Sequence, residues 1–337
     1  TCIGCNQACL DHIFSMKIAT CLVNPRACYE TELTFKETNV AKNIAVIGAG
    51  PAGLSFAIYA ANRGHHVTIF EAAAQIGGQF NIAKTIPGKE EFYETLRYFK
   101  RQIELQPRIK LLLNRKATFE QLVSAEFDDI VVATGVTPRQ LNIPGIDHPK
   151  VLSYLDVLRE RKPVGQRVAI IGAGGIGFDT AELLSHGAES GSVNPEKFYD
   201  EWGIDTDYEN VGGLKPAHVE QPQREIYLLQ RKPASVGSSL GKTTGWIHRT
   251  GLKHRHVKMI AGASYERIDD QGLHIVVNDK PALLEVDQII ICAGQESYTA
   301  MFDELKAAGK SVHLIGGAKE AGELDAKRAI RQGAELA

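Results

Sequence analysis

The chain has 337 residues, of which 44% are hydrophobic and 23% are charged, and its formal net charge at pH 7 is −2. This composition is typical of a globular protein, and the length predicts two domains. The charge balance argues against nucleic acid as a main partner. No apolar run approaches the roughly 18 residues of a membrane span, and no signal peptide is visible, so we expect a cytoplasmic protein that does not bind membranes.

Four cysteines near the N-terminus have the spacing C-x2-C-x3-C-x11-C, and they are Cys2, Cys5, Cys9 and Cys21. Thiolates so close in sequence suit an iron–sulfur cluster or a structural zinc ion. A zinc site more often combines two C-x2-C motifs or includes histidine, and His12 could compete as such a ligand. The spacing therefore favours an iron–sulfur cluster and leaves zinc as the alternative. The chain starts at Thr1 beside this motif, which suggests a fragment that lacks an N-terminal portion. The other cysteines, Cys28 and Cys292, are expected to be small buried hydrophobes.

A polar linker at residues 31–41 leads into residues 42–71, which predict one βαβ unit. A short apolar run predicts a buried parallel strand, and an alanine-rich helix and a second strand follow it. The turn before the helix carries G-x-G-x-x-G from Gly48 to Gly53, which allows a tight turn and a close approach to a pyrophosphate. The amides that start the helix favour phosphate, and Glu71 at the end of the second strand would accept hydrogen bonds from a ribose. The unit therefore predicts a dinucleotide site.

Two further turns of small residues are expected beside this site. The loop at 77–79 carries adjacent glycines, which suit backbone wrapped closely around a flat or anionic group. The strand predicted at 129–133 runs into the small-residue turn 133–135, at the sheet edge along which a dinucleotide would lie. The apolar stripe of the helix predicted at 90–105 indicates packing.

Residues 165–177 repeat the strand and the glycine turn, with a second G-x-G-x-x-G that begins at Gly172. This internal repeat implies a second dinucleotide site. The strand that follows, at 225–229, ends in Gln-Arg-Lys at 230–232 and not in an acid. Cations at this place suit the 2′-phosphate of NADP and not the bare ribose of NAD. The run 288–294 mirrors the earlier strand into a small-residue turn.

Two segments lie outside the repeated pattern. Residues 186–223 are rich in Gly, Pro, Asp and Glu, and a long irregular segment of this kind predicts a lid, a docking surface or disorder. Residues 312–317 predict one more strand with a glycine turn, and residues 324–337 predict a helix. This tail is expected to return to the first domain.

Together these features resemble the two-domain FAD/NAD(P) flavoprotein reductases. The cysteine segment, the run Gly77–Phe80 with Pro87–Lys89, and the run Gly241–Trp246 make the chain similar to the C-terminal half of the bacterial iron–sulfur 2,4-dienoyl-CoA reductases along essentially its whole length. In that family an N-terminal (β/α)8 barrel holds FMN and the acyl-CoA site, and this chain has neither. The chain departs from the family at 318–319, where Ala-Lys stands in place of an acid near the flavin.

The resemblance implies an α/β fold with two nested, three-layer Rossmann-like domains after a short cysteine-rich segment. The expected boundaries are 1–40 for the cluster segment and linker, 41–160 with 296–337 for a discontinuous FAD domain, and 161–295 for the NADP domain. Electrons from NADPH would pass through FAD and the cluster to FMN in the barrel, where dienoyl-CoA is reduced in fatty-acid β-oxidation.

The resemblance also implies the residues that hold each cofactor. The four ligands of a [4Fe–4S] cluster would be Cys2, Cys5, Cys9 and Cys21. The residues expected at FAD are Gly48, Gly50, Pro51, Ala52, Gly53, Glu71, Gly78, Gln79, Ala117, Ala133, Thr134, Gly135, Gly317, Asp325 and Ala326. The residues expected at NADP(H) are Gly172, Gly174, Gly175, Ile176, Gly177, Gln230, Arg231, Lys232, Ala293 and Gly294.

No residue of this chain is a credible proton donor to the substrate, so the catalytic acid is expected in the barrel and this chain alone would show only NADPH:acceptor activity. Two alternatives stay open at this stage. The chain could resemble trimethylamine dehydrogenase or another enoate-reductase relative, with a second nucleotide fold that is only structural. It could also be a non-enzymatic nucleotide-binding scaffold or a zinc-stapled interaction module.

Overall fold

The computed structural model describes residues 1–187, 189–322 and 325–337, and it shows the predicted α/β fold built on parallel sheets. Ala188 of the insert and Leu324, the expected first residue of the tail helix, lie outside the described residues. Within the described ranges, no helix combines the length and the apolar character that crossing a bilayer requires.

The helices alternate with the strands along most of the chain. The α-helices are α1 Leu10–Ile13, α2 Pro51–Asn62, α3 Phe80–Ala83, α4 Phe92–Leu105, α5 Phe119–Ser124, α6 Tyr154–Leu158, α7 Gly175–Ser185, α8 Pro195–Trp202, α9 Gly245–His254, α10 Ala300–Ala307 and α11 Ala326–Leu336. Short 3-10 turns cover Gly191–Val193, Val211–Gly213 and Gly316–Ala318.

The strands are short, and most belong to parallel sheets. They are β1 Asn43–Ile47, β2 His66–Phe70, β3 Ile109–Leu112, β4 Asp129–Val132, β5 Val136–Pro138, β6 Val151–Ser153, β7 Arg167–Ile171, β8 Glu225–Leu229, β9 Lys258–Ile260, β10 Ala263–Asp269, β11 Gly272–Val277, β12 Lys280–Leu284, β13 Gln288–Ile291, β14 Gln295–Ser297 and β15 Val312–Leu314.

One compact unit comprises Thr1–Lys84, Glu91–Thr137 and Gln295–Ala337. Its five-stranded sheet has the order β15-β4-β1-β2-β3, and each pair of neighbours is parallel. In β1, Val46 packs into the core on one face of the sheet and Ile47 into the core on the other. Because both faces of the sheet are covered by other parts of the unit, the sequences of its strands are mostly apolar. The order reverses at β1, and ligands of such sheets bind at the carboxyl end of the strand where it reverses.

The second compact unit comprises Thr85–Glu90 and Pro138–Gly294. Its parallel sheet has the order β6-β13-β7-β8-β9, so the strand order reverses at β7. An antiparallel sheet of β10, β11 and β12 covers one face, because Ile275 of β11 shares a core cluster with Ile171 of β7. The sequence pattern does not predict this antiparallel sheet.

The insert after α7 is more regular than the sequence analysis expects. Helix α8 begins after Asn194, whose side chain accepts a hydrogen bond from the backbone N–H of Lys197 at 3.1 Å, and Pro195 occupies its first turn. The helix ends at Gly203, which has a left-handed φ of 62°. The expectation of an irregular insert is therefore wrong for residues 195–202.

Candidate functional site

The first glycine turn joins β1 to α2, where the strand order reverses. Gly48 has a φ of 108°, a left-handed value that favours glycine, and a Cβ there would lie 2.5 Å from the carbonyl oxygen of Ala133. A Cβ at Gly53 would overlap the carbonyl oxygen of Gly48. A Cβ at Gly50, the N-cap of α2, would meet nothing within 4 Å. Close packing therefore requires glycine at positions 48 and 53. Gly50 leaves open space at the start of the helix, which is what a bound pyrophosphate needs.

The small-residue loops expected at this site lie against the glycine turn. The N–H of Gly77 donates to the carbonyl oxygen of Ala49 at 2.8 Å, and a Cβ at Gly78 would lie 3.2 Å from the Cα of the second glycine of the turn. Gly77 and Gly78 have φ values of 120° and 50°. After β4, Thr134 Oγ1 donates to the carbonyl oxygen of Tyr298 at 2.7 Å. The structure thus brings together three turns that are distant in sequence.

Glu71 follows β2 and is held by the glycine turn itself. Its Oε2 accepts a hydrogen bond from the N–H of Ala49 at 2.7 Å, and its Oε1 accepts one from the N–H of Ala73 at 2.8 Å. An ionised carboxylate has about four lone-pair sites, so both oxygens can still accept a ribose hydroxyl. This is the position expected for a carboxylate that binds the ribose of a dinucleotide.

The tail packs beside the same turn. A Cβ at Gly316 would lie 2.7 Å from the Cβ of Ala52, and one at Gly317 would lie 2.8 Å from Cγ1 of Val136. Asp325 caps α11 by accepting hydrogen bonds from two backbone N–H groups of its first turn. Helix α11, which begins at Ala326, is therefore anchored next to the N-terminal half of α2.

The remaining residues expected at FAD fall into two groups. Pro51 and Ala52 lie in the first turn of α2, and Gln79 is the N-cap of α3, directly after the loop that contacts the glycine turn. Ala117, in contrast, is buried in the core on the other face of β1, where it shares a cluster with Ile47. Where the related family carries an acid, Ala318 is buried and the lysine after it is exposed.

The second glycine turn joins β7 to α7 and repeats this packing. Gly172 has a φ of 109°, and a Cβ there would lie 2.6 Å from the carbonyl oxygen of Cys292. A Cβ at Gly177 would overlap the carbonyl oxygen of Gly172. At Gly174 and Gly175 a Cβ would meet nothing within 4 Å, so the start of α7 is also open. These positions fit a second dinucleotide for the same reasons as the first.

The loop after β8 carries the two cations expected at a 2′-phosphate. Nε2 of Gln230 donates to the carbonyl oxygen of Lys232 at 3.0 Å and to that of Ala234 at 2.5 Å, so the glutamine holds the loop. Arg231 and Lys232 are exposed. In this unit the loop follows the carboxyl end of a strand next to β7, which is the edge that binds nucleotides in such sheets.

Cys292 lies beside the second turn, just before Ala293 and Gly294, and it is buried as expected. Burial raises the pKa of its thiol to about 12, although a hydrogen bond between this thiol and the hydroxyl of Thr180 acts in the opposite direction. The thiolate is the reactive form of cysteine, so Cys292 is inert. The same expectation is wrong for Cys28, which is exposed in a turn with a φ of 63°.

The surroundings of Cys5, one of the four N-terminal cysteines, change the titration of its thiol. Burial raises the pKa of Cys5, a backbone hydrogen bond opposes this, and the charges of Cys21, Cys9 and Cys2 raise the pKa further. Among the residues that the structure describes, no three His, Cys, Asp or Glu side chains are arranged to hold a metal ion. The hydroxyl of Thr20, next to Cys21, is buried without a hydrogen-bond partner among the described residues. The [4Fe–4S] cluster therefore stays a prediction.

His12, the competing ligand, uses both ring nitrogens in hydrogen bonds. Its Nδ1 lies 2.8 Å from the carbonyl oxygen of Ile18, and its Nε2 lies 2.9 Å from Nζ of Lys327. Because the carbonyl can only accept and the ammonium can only donate, Nδ1 carries the proton and Nε2 accepts. The ring connects the cysteine segment to α11 and is not available to a metal.

The structure contains a buried cluster of charged side chains on α7 that the sequence does not predict. Nη1 of Arg255 donates to Oε1 of Glu182 at 3.0 Å, and its Nη2 lies 2.8 Å from Nε2 of His186 and 3.9 Å from Oε2 of Glu201. Burial raises the pKa of Glu182 to about 7, although Arg255 acts in the opposite direction. Burial also lowers the pKa of His186 to about 4. The cluster joins α7 to the insert helix α8 and to the end of α9.

This cluster predicts a pH-dependent stability. The folded protein holds a proton on Glu182 more tightly than the unfolded chain, because the pKa rises from 4.5 to about 7. The contribution of Glu182 to the free energy of unfolding should therefore be largest below pH 4.5 and should be lost as the pH rises to about 7, whereas the lowered pKa of His186 has the opposite effect between about pH 4 and 6.5. In urea unfolding across this range, the free energy of unfolding of Glu182→Gln relative to the parent should rise with pH, because only the variant lacks the Glu182 contribution. Glu196→Gln, which changes an exposed acid of α8, should keep a constant difference from the parent. Equal slopes in all three proteins would contradict this assignment.

The comparisons with known proteins agree with this geometry. Residues 42–317 match the model of the pyridine nucleotide-disulphide oxidoreductase family. The chain is 34% identical over 328 residues to a metal reductase of Desulforamulus reducens, which is 94% of this chain and 47% of that protein. It is 26% identical over 321 residues to a cinnamate reductase of Clostridium sporogenes, which is 95% of this chain and 43% of that protein.

A solved structure extends the similarity to the whole chain. The complex of 2-naphthoyl-CoA reductase with 2-naphthoyl-CoA superposes with a TM-score of 0.83 at 27% identity, over 100% of this chain and 46% of that chain. The chain thus spans about half the length of the relatives that it matches, at 47% and 43% of the two curated proteins. The two sheets, the two open glycine turns and the family match lead to one conclusion: this chain belongs to the pyridine nucleotide-disulphide oxidoreductase family, as a flavin- and nicotinamide-dependent oxidoreductase domain.

Proposed function

We propose that this chain is the electron-input half of an NADPH-dependent 2,4-dienoyl-CoA reductase. In this proposal electrons pass from NADPH by way of FAD and a [4Fe–4S] cluster to FMN in a (β/α)8 barrel, where the acyl-CoA is reduced. A bound flavin supplies the exchange between two-electron and one-electron transfer. The observation that carries the proposal is the presence of two glycine turns, each open at the start of its helix, in a chain similar to a metal reductase over 94% of its length.

The chain's own residues would hold these cofactors by ordinary polar contacts. The open starts of α2 and α7 offer backbone amides to pyrophosphates, and Glu71 offers acceptors to a ribose. Arg231 and Lys232 offer positive charge to a 2′-phosphate. The four N-terminal thiols would ligate the iron–sulfur cluster.

The proposed substrate class is an acyl-CoA with conjugated double bonds. The name of one relative is cinnamate reductase, and the similar solved structure is a reductase bound to 2-naphthoyl-CoA. Both support a reaction that adds electrons to a conjugated acid or its CoA thioester, in a part of the protein outside this chain. We propose a cytoplasmic location because Cys28 and Cys292, the two cysteines outside the proposed ligand set, are free thiols, as is usual in reducing compartments.

The experiment that tests this proposal separates electron input from substrate reduction. The chain is reconstituted with FAD, iron and sulfide, mixed with NADPH without oxygen, and offered either an artificial electron acceptor or a 2,4-dienoyl-CoA. We expect NADPH to bleach the flavin and the artificial acceptor to be reduced, with no turnover of dienoyl-CoA. Turnover of dienoyl-CoA by this chain would contradict the assignment of that step to the barrel. No detectable NADPH binding would favour an enzyme of the trimethylamine dehydrogenase type.

The preference for NADPH gives a separate prediction. Arg231→Ala should weaken NADPH binding by roughly 10- to 100-fold, since a hydrogen bond to a charged group contributes about 1.5–3 kcal/mol. NADH binding should change by less than about twofold, because NADH lacks the 2′-phosphate. Arg267→Ala, which removes another exposed arginine of the same unit, is the matched control and should change neither affinity. Equal losses for the two nucleotides, measured by fluorescence titration, would refute the role of Arg231.

A further inference from the structure

Arg139, which directly follows β5, lies against the turn after β13. Its backbone N–H donates to the carbonyl oxygen of Gly294 at 3.2 Å. A Cβ at Gly294 would lie 3.2 Å from Cζ, 3.3 Å from Nη1 and 3.5 Å from Nε of Arg139. Because these three atoms are almost equally distant, the plane of the guanidinium faces Gly294. A side chain at this position would displace the guanidinium, so the glycine leaves the room that the arginine occupies.

The turn that carries Gly294 borders the second glycine turn. A Cβ at Gly172 would lie 2.6 Å from the carbonyl oxygen of Cys292. The strand before this turn, β13, is the neighbour of β7 on the side away from β8. A dinucleotide in such a sheet lies in the crevice beside the carboxyl end of the strand where the order reverses, which here is β7. Arg139 therefore lies on the β13 side of this crevice, and the cations expected at a 2′-phosphate follow the strand on the other side.

The charges at the start of α7 favour an anion that a helix end alone does not neutralise. The first turn of α7, all of which the structure describes, contains no acidic side chain. The next acid along the helix, Asp179, is neutralised by Lys89, whose Nζ lies 2.5 Å from its Oδ1. A helix N-terminus supplies the equivalent of about half a positive charge, whereas each phosphate of a pyrophosphate carries a negative charge. Arg139, which is exposed, supplies a further positive charge beside the turn.

We propose that the guanidinium of Arg139 binds the pyrophosphate of the nicotinamide dinucleotide at the second glycine turn. The inference rests on the proposed function, because it requires that this turn bind NADPH. A guanidinium presents its N–H groups as a planar fork, which can pair two of them with two phosphate oxygens. The pyrophosphate is common to NADPH and NADH, so Arg139 should hold both nucleotides, whereas Arg231 is expected to distinguish between them.

Titration of FAD-loaded variants with NADPH and with NADH, followed by fluorescence, tests this contact. Arg139→Met keeps most of the length of the side chain and removes its charge. Both affinities should therefore fall by roughly 10- to 100-fold, as for the loss of other hydrogen bonds to charged groups. Arg267→Met, which changes another exposed arginine of the same unit, should change neither affinity. Unchanged affinities in Arg139→Met, or a loss for NADPH alone, would overturn the inference.

Arg139→Lys decides the case in which Arg139→Met does not fold, as judged by circular dichroism and flavin content. It keeps the positive charge and lacks the fork, so it should weaken both nucleotides by about 3- to 10-fold. Parent affinities for both nucleotides in this variant would overturn the inference. The parent chain is titrated first. If it binds neither nucleotide, the proposed function fails at the second turn and the inference fails with it, whereas unchanged affinities in the variants overturn the inference alone.

Discussion

Alanine in place of Gly53 is expected to weaken the binding of FAD by about 100-fold. A Cβ at this position would overlap the carbonyl oxygen of Gly48, and both groups belong to the backbone, so neither can rotate away. Overpacking of this kind costs about 1–3 kcal/mol, and each 1.4 kcal/mol is a tenfold change in affinity. The turn would have to open at the place where the pyrophosphate is expected. The flavin content after gel filtration and the dissociation constant of FAD measure this effect.

Two further glycine variants serve as controls for Gly53→Ala. Gly322→Ala adds a methyl group where no atom of the described residues lies within 4 Å, and it should bind FAD as the parent does. Gly177→Ala creates the same overlap in the second turn, with the carbonyl oxygen of Gly172. It should retain FAD and lose affinity for NADPH by a similar factor. If Gly53→Ala purifies with a full complement of tightly bound FAD, the first turn is not the flavin site.

Replacement of Cys5 by serine is expected to remove the iron–sulfur cluster. Cys5 is half-buried, and the charges of the other three cysteines of the segment raise its pKa. Serine is a poor ligand for iron in comparison with a thiolate, and a four-iron cluster needs a protein ligand for each iron. Iron and acid-labile sulfide should both fall at least about tenfold in the purified protein, as expected when one of four thiolates is lost. NADPH should still bleach the flavin.

Cys28→Ser is the matched control, because Cys28 is an exposed cysteine of the same N-terminal region that lies outside the spacing motif. It should keep the iron and sulfide content of the parent. Equal loss of iron in the two variants would mean that the motif does not define the ligands. Zinc without sulfide in the parent protein would favour the zinc-stapled alternative.

The parts of the fold that the sequence predicts are those that local chemistry decides. The parallel strands are buried on both faces, so β7 appears in the sequence as the uninterrupted apolar run from Val168 to Ile171. The glycine turns are predictable because backbone overlap excludes a side chain at Gly53 and Gly177. The helix in the insert is not predicted from periodicity, although Asn194 and Pro195 are typical of a helix start and Gly203 is typical of a helix end.

The parts that the sequence does not predict depend on contacts between distant residues. Arg255 and Glu182 are separated by 73 positions, and nothing in either neighbourhood indicates that they pair. The hydrogen bond between His12 and Lys327 joins residues that are 315 positions apart. It excludes His12 as a metal ligand, although its place in the sequence suggests that role. The antiparallel sheet of β10, β11 and β12 lacks a regular alternation of exposed and buried residues, because Lys280 to Leu283 are all exposed. The period-two pattern that predicts a half-buried strand is therefore weak there.

Rapid freeze-quench electron paramagnetic resonance of the loaded chain, after mixing with NADPH in the absence of oxygen, tests the proposed path of electrons from NADPH to the cluster. The account predicts that the flavin is reduced first and that the signal of a reduced [4Fe–4S] cluster then appears without any other reductant. A flavin that stays oxidised in excess NADPH, or a cluster that stays oxidised after the flavin has been reduced, would contradict it.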